Sequence, residues 1–274
     1  GERLDFASFR PPPVRDEENF FKAPLLARVL YEQTGDKEQS KIISDSRFSD
    51  FMELHRFGSG FKDYASLRAQ LARKHWLNVP DTGNAAADIL AAMHPLRALL
   101  DDLREAGRHR SKAALDWNDV PLTSSRLAAN TVFSLSVRLG FRAKLEVELG
   151  QTDEAYADII ALQRMANGFA MVPENLLQVM MGVSMHRTAA DVVSEGCRKQ
   201  VWSEARLRQF QELLGNLKPV AGFREAIRAE RAVVLYFVDN PPKTPAFGVD
   251  WPWWLIPGWV QQNKLVYCRT LEER

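Results

Sequence analysis

His186 is the residue that the sequence places best for acid–base chemistry. It sits in "VMMGVSMHRTAAD", with Met180, Met181 and Met185 before it and Asp191 five residues after it. An imidazole in apolar surroundings beside a carboxylate can serve as a general base. The same pattern also describes a half-buried helix histidine satisfied by a polar neighbour, with the methionines as adaptable core filler. The other histidines, His55, His75, His94 and His109, are scattered, and no two histidines stand four apart. A helical metal pair is therefore disfavoured, and no metal or cofactor is expected. The chain has no Gly-rich phosphate loop, no G-x-S-x-G elbow and no H-E-x-x-H helix. "GSG" at Gly58–Gly60 reads as a turn.

A second candidate is a binding surface. "FGVDWPWWLIPGW" carries Trp251, Trp253, Trp254 and Trp259, four of the chain's seven tryptophans, stiffened by Pro252 and Pro257. Tryptophans this dense in a loop are either a cap over the core or an exposed platform. An exposed platform would suit another protein, a glycan or the membrane interface.

Charge narrows the partners. The net charge is +1, which gives no electrostatic reason to expect a nucleic acid. The basic run "RHRSK", Arg108–Lys112, follows a helix end, where cations suit the dipole. Acidic Asp101, Asp102 and Glu105 lie close by in sequence, so it reads as a solvated turn. The two cysteines, Cys197 and Cys268, lack metal-ligand spacing. They read as buried free thiols, or as one disulfide if the protein is exported. The longest uncharged apolar stretches, "NLLQVMMGVSM" and "WPWWLIPGWVQQN", are too short to span a bilayer.

The elements that must position these groups are helices. Ala128, Val132, Leu135, Leu139, Ala143 and Val147 repeat at helical spacing, and so do Ala155, Ile159, Leu162, Ala166 and Phe169. Between them Gly150 suits a left-handed C-cap, and Thr152 can cap the next helix ahead of Asp153 and Glu154. Two such helices joined by about three residues must lie antiparallel. "VFSLSVRLGF" also alternates at Phe133, Leu135, Val137, Leu139 and Phe141, a strand pattern. The helix is preferred, because the stripe continues through "RAKLEVEL" without a breaker and no convincing partner strand is found.

Further helices are expected at Leu25–Leu30, in "YASLRAQLARKHW", and along Ile89, Met93, Leu96, Leu100 and Leu103. Pro95 should kink or start that last run and Gly107 should close it. Others should run from Pro173 to Gly196, from a Ser203 cap with Leu207, Phe210 and Leu214 facing in, and from Pro219 onward. A last helix is expected in "VQQNKLVYCRTLEE". The expectation is all-α: stacked antiparallel hairpins, seven to nine helices. Residues 1–15 form an extended segment, held so by Pro11–Pro13, and Asp16 can cap the helix after it. Residues 16–274 form one helical domain, with a Trp/Pro-rich loop at 240–259.

Two resemblances add to this. Residues 143–162 resemble one tetratricopeptide-type hairpin: Ala143, Gly150, Ala155 and Ile159 fall at its small, turn, small and large apolar positions. Leu162 departs from the pattern, and no second match is found, where a tandem array would show several. "PPPVRDEENFFKAPL", Pro11–Leu25, and "LGQTDEA" resemble a group of uncharacterised bacterial proteins in which a membrane-anchoring helix precedes an all-helical domain. That resemblance implies an exported domain tethered at the outer face of the inner membrane, and agrees with a chain that starts at Gly1 after loss of a leader or a tag. The expected function is a non-enzymatic exported scaffold that binds another protein, with no transmembrane helix of its own. The alternative is an all-helical enzyme acting on a glycan, with the tryptophans as its platform and two carboxylates about 5–10 Å apart as acid and base.

Overall fold

The computed structural model describes residues 13–31, 64–73, 81–114, 122–170, 176–215 and 219–239. These residues contain nine α-helices and no strand. The helices are α1 (Pro24–Tyr31), α2 (Tyr64–Arg73), α3 (Ala85–Ala92), α4 (Arg97–His109), α5 (Leu122–Glu148), α6 (Thr152–Ala170), α7 (Leu176–Arg198), α8 (Glu204–Gly215) and α9 (Pro219–Asp239). None of them is long and apolar enough to cross a membrane. The tryptophans Trp251, Trp253, Trp254 and Trp259, the expected last helix, Cys268, Pro173 and "GSG" lie outside the described residues.

Helix α6 is central. It packs against α4, α5 and α7, and α5 packs in turn against α3 and α7. This explains why α5 carries two readable patterns. Leu135, Leu139, Phe141, Ala143, Leu145 and Val147 are all buried, so the helix is covered on most of its circumference. A helix apolar nearly all round can imitate the alternation of a strand.

The α5–α6 turn is as the glycine predicts. Gly150 has φ +73, and Gln151 N–H donates to the Glu146 carbonyl at 2.8 Å. That is a Schellman closure, which needs a left-handed residue. A Cβ on Gly150 would meet nothing within 4 Å, so the constraint is purely conformational. Gly150→Val is expected to cost about 1 kcal/mol or more. A thermal melt followed by circular dichroism checks this; an unchanged Tm would contradict the cap.

Three glycine and cysteine expectations are corrected. Gly107 does not close its helix; α4 runs on to His109. A Cβ there would stand 2.9 Å from Ala161 Cα, so Gly107 is the point where α4 and α6 meet backbone to backbone. Gly196 lies inside α7, under the Trp202 indole, whose Nε1 donates to the Val193 carbonyl at 2.9 Å. The left-handed residue after α7 is Gln200, at φ 56. Cys197 is an exposed free thiol rather than a buried one, because it falls on the outer face of the last turn of α7.

Other boundaries differ in detail. Pro95 does interrupt its run: α3 stops at Ala92, a 3-10 turn covers His94–Leu96, and α4 follows. Ser203 does cap α8, accepting from Arg206 N–H at 3.3 Å. Leu207, expected to face in, is 40% exposed, because α8 docks through Phe210, whose ring lies 5.0 Å from Trp202 and 5.5 Å from Tyr156.

The N-terminal segment is clasped to the far end of α4. Asp16 lies in a turn and does not cap; Asn19 does, accepting from Phe21 N–H at 3.1 Å. Asn19 also donates to the Ala114 carbonyl at 2.7 Å, and Phe20 N–H donates to the Lys112 carbonyl at 2.8 Å. The "RHRSK" run is thus more than a solvated turn. Arg110 donates to the carbonyls of Asp16 and Asn19, and Lys112 meets Glu18 at 2.7 Å. Phe20 and Phe21 are fully buried, and Asp102 accepts from Leu25 N–H at 3.0 Å at the start of α1.

Candidate functional site

The most unusual group of residues is a charged network sealed between α4, α5 and α6. Asp158, on α6, has no exposed surface. Its Oδ1 accepts from Arg104 Nε at 2.7 Å and from Arg142 Nη2 at 2.8 Å, and its Oδ2 accepts from Arg142 Nε at 2.7 Å. The guanidinium fork of Arg142 therefore grips one carboxylate with two nitrogens. Arg142 also donates to Asp101 Oδ1 at 2.7 Å and to the Leu100 carbonyl at 2.9 Å, both on α4. Charge buried this way is tolerated because nearly every lone pair and N–H is used.

Glu146 is the exception. It stands one turn along α5 from Arg142 and is 3% exposed. Its Oε1 accepts from Arg104, but its Oε2 is sealed from solvent and has no partner. Burial, and then the negative charge of Asp158, push the Glu146 carboxyl up to about 8, against the opposing pull of Arg104 and Arg142. Near neutral pH it therefore holds a proton.

A cleft of about 830 Å³ opens over this network. Arg104, Arg142 and Glu146 form its floor, while Leu90 and Met93 beside α3 and Leu149 after α5 supply apolar steps. Arg97, Asp101, Glu105 and Arg108 stand on the α4 side, where Arg97 meets Asp101 at 3.5 Å and Arg108 meets Glu105 at 3.4 Å. Asp158 does not line the cleft; it lies behind the arginines.

No protein-family model, curated protein or solved structure matches the chain. The site is therefore read from its own chemistry.

Of the catalytic and partner-binding residues expected from the sequence, the structure describes His186 and Asp191. His186 is 8% exposed, and its Nδ1 shares a hydrogen bond with Gln163 Oε1, on α6, at 2.6 Å. Burial lowers the imidazole to about 4. Asp191 acts on Lys144, whose ammonium burial lowers and whose charge Asp191 and Glu195 favour. Neither His186 nor Asp191 lines the cleft. Among the described residues no three His, Cys, Asp or Glu side chains gather in a way that could hold a metal ion.

Sequence reasoning passed over Arg142, Glu146 and Asp158. The signal was present: Leu135, Leu139, Arg142 and Glu146 follow one another at 4, 3 and 4, so two charges continue an apolar stripe. Asp158 does the same between Ala155 and Leu162. A charge on the buried stripe of a helix is the mark of an internal ion network.

Proposed function

We propose that the protein is a non-enzymatic helical scaffold that seats a segment of another protein in the cleft between α3, α4 and α5. The observation that carries this is the cleft itself. Its walls alternate apolar steps with paired surface charges, the composition of a protein-binding seat. Its floor is held by the bridges from Arg104 and Arg142, so little order is lost on binding. Location on the outer side of the bacterial inner membrane is part of this proposal and rests on the resemblance of Pro11–Leu25.

Site-specific photocrosslinking in cells tests it. A photoreactive residue in place of Leu90, in the cleft, is expected to capture one defined protein. The same residue in place of exposed Arg208, on α8, is expected to capture none. Equal capture from both positions, or none from position 90, would overturn the seat.

One observation favours the second reading, an enzyme acting on a glycan: a carboxyl held protonated near neutral pH beside a cleft is what a general acid requires. Against it, Asp158 is sealed and doubly gripped and cannot reach a substrate, and of the carboxyl groups that do line the cleft beside Glu146, Asp101 and Glu105 are already held by Arg97, Arg142 and Arg108. Release of reducing ends from glycan fragments by the protein, lost in Glu146→Gln, would favour that reading.

A further inference from the structure

Helices α4 and α5 both pack on α6, and side chains close the gap between them. Among the described residues three bonds cross it: Arg104 to Glu146 Oε1, Arg142 to Asp101 Oδ1 at 2.7 Å, and Arg142 to the Leu100 carbonyl at 2.9 Å. These bonds are the floor of the cleft. Their charges balance only with a proton. Three carboxyl groups, Asp101, Glu146 and Asp158, meet two guanidinium groups, Arg104 and Arg142. The mouth does not change this: Arg97 and Arg108 add two cations, and Glu105 and Glu154 add two carboxyl groups. The proton belongs on Glu146, because its Oε2 is sealed and has no donor. An ionised oxygen there would be a buried charge without a partner.

The other charges near Glu146 are engaged. Arg142 Nε stands 3.9 Å from Glu146 Oε1, but its three nitrogens are spent on Asp158, Asp101 and the Leu100 carbonyl. Arg108 and Glu105 meet each other at 3.4 Å. The α7 charges that reach α5 go elsewhere: Lys199 to Glu148 at 2.7 Å, and Asp191 and Glu195 toward Lys144. From the α3 side come apolar Leu90 and Met93, and His94 in the turn after them is the remaining titratable group of the lining.

We propose that Glu146 is a proton latch on the cleft: protonated, it leaves the floor closed and dry, and once it gives its proton to hydroxide the floor opens and water enters between α4 and α5. The carboxylate formed has a negative oxygen for which the network holds no donor. Arg104 already serves both Asp158 and Glu146, so it cannot turn to Oε2 without leaving Asp158. Water is the other source of donors, and it comes from the cleft that Glu146 borders. Either way the floor loses a bond. The latch goes beyond the seat for a partner and does not depend on it.

Nuclear magnetic resonance on the intact protein tests this by following two signals with pH: the Glu146 carboxyl carbon and the Arg104 Nε–H. That N–H is bound to Asp158 at 2.7 Å and exchanges with water when the floor opens. Hydroxide alone speeds exchange about tenfold per pH unit, and below the Glu146 midpoint the open population rises about tenfold per unit as well. The expected exchange rate therefore climbs about a hundredfold per unit from about pH 6.5 to about 7.5. Above the Glu146 midpoint, at about 8, the climb eases to about tenfold. Glu146→Gln, which keeps a neutral side chain, is expected to show about tenfold per unit throughout. His94→Gln is expected to keep the steep climb. The Trp202 Nε1–H, bound to the Val193 carbonyl at 2.9 Å away from the cleft, is the reference. Its protection is expected to exceed that of Arg104 by about tenfold or more, since local opening precedes global. Equal protection of the two would mean that the whole fold opens, and would overturn a local latch. So would a carboxyl carbon that titrates while Arg104 follows hydroxide alone, because Glu146 would then ionise in place. A carboxyl carbon ionised from about pH 6 upward would leave no proton to lose, and would overturn it too. These outcomes are read from the unaltered protein, whatever becomes of the variants. A steep climb that persists in Glu146→Gln, or that is lost in His94→Gln, would take the latch away from Glu146.

Discussion

Replacing Arg142 with methionine is expected to destabilise the protein by about 3–5 kcal/mol, measured by urea unfolding at neutral pH. Methionine fills much of the volume, so packing is not the main loss. The loss is electrostatic: Asp158, with no exposed surface, keeps only its bond from Arg104, and the Leu100 carbonyl loses a donor. Arg142→Lys is expected to fall in between, because a point charge cannot reproduce a two-nitrogen grip. Adding Asp158→Leu to Arg142→Met is expected to recover part of the loss, since an apolar pair leaves fewer buried charges unmet. A cost below about 1 kcal/mol for Arg142→Met would mean that the network is wet and worth no more than a surface pair.

Stability is also expected to fall as pH rises from about 6.5 to about 8, with Glu146 as the cause. Its folded pKa is raised, from 4.5 to about 8. Between those values the unfolded chain releases a proton that the folded chain keeps. The contribution of Glu146 is therefore complete below pH 4.5 and is lost as pH rises to about 8. His186 works in the opposite direction, lowered from 6.5 to about 4. Its contribution is complete above pH 6.5 and is lost as pH falls toward 4. The two slopes oppose each other between about 4.5 and 6.5, and only Glu146 acts above that. A tenfold difference in proton affinity between the folded and unfolded chain corresponds to about 1.4 kcal/mol, so the Glu146 effect is several kcal/mol across its window. Glu146→Gln is expected to flatten the upper limb of a Tm-against-pH curve and leave the lower limb, due to His186, in place. A stability that rises from pH 6.5 to 8 would show Glu146 ionised throughout.

The helices were legible because each buries a stripe against its neighbours. Ala155, Ile159, Leu162 and Phe169 are at most 1% exposed, as their spacing implies. Gly150 was legible because a left-handed cap leaves few residues to choose from. Gly107 and Gly196 were misread for the same reason turned round: a glycine required for close approach has no local signature to tell it from one required for a turn. The cleft was hidden more deeply. Arg142 and Glu146 stand four apart on a helix, a spacing usually seen in a solvated surface pair. Only the arrival of Asp158 from α6 and of Asp101 and Arg104 from α4 makes that pair internal. Those contacts join residues 16 to 54 positions apart on different helices, beyond any pattern within one helix.

The clasp of the N-terminal segment also sets an order in time. Phe20 and Phe21 are made before their cover: Lys112 and Ala114, which hold that stretch of backbone, come more than ninety residues later. Phe169, whose ring lies 6.1 Å from that of Phe21, is later still. At the usual pace of translation, about 5–20 residues per second, the two rings wait on the order of ten seconds for their cover. In that interval they form a bare aromatic pair on a growing chain, open to chaperones and to neighbouring chains. This stretch of the polypeptide is thus covered only once α6 has been made.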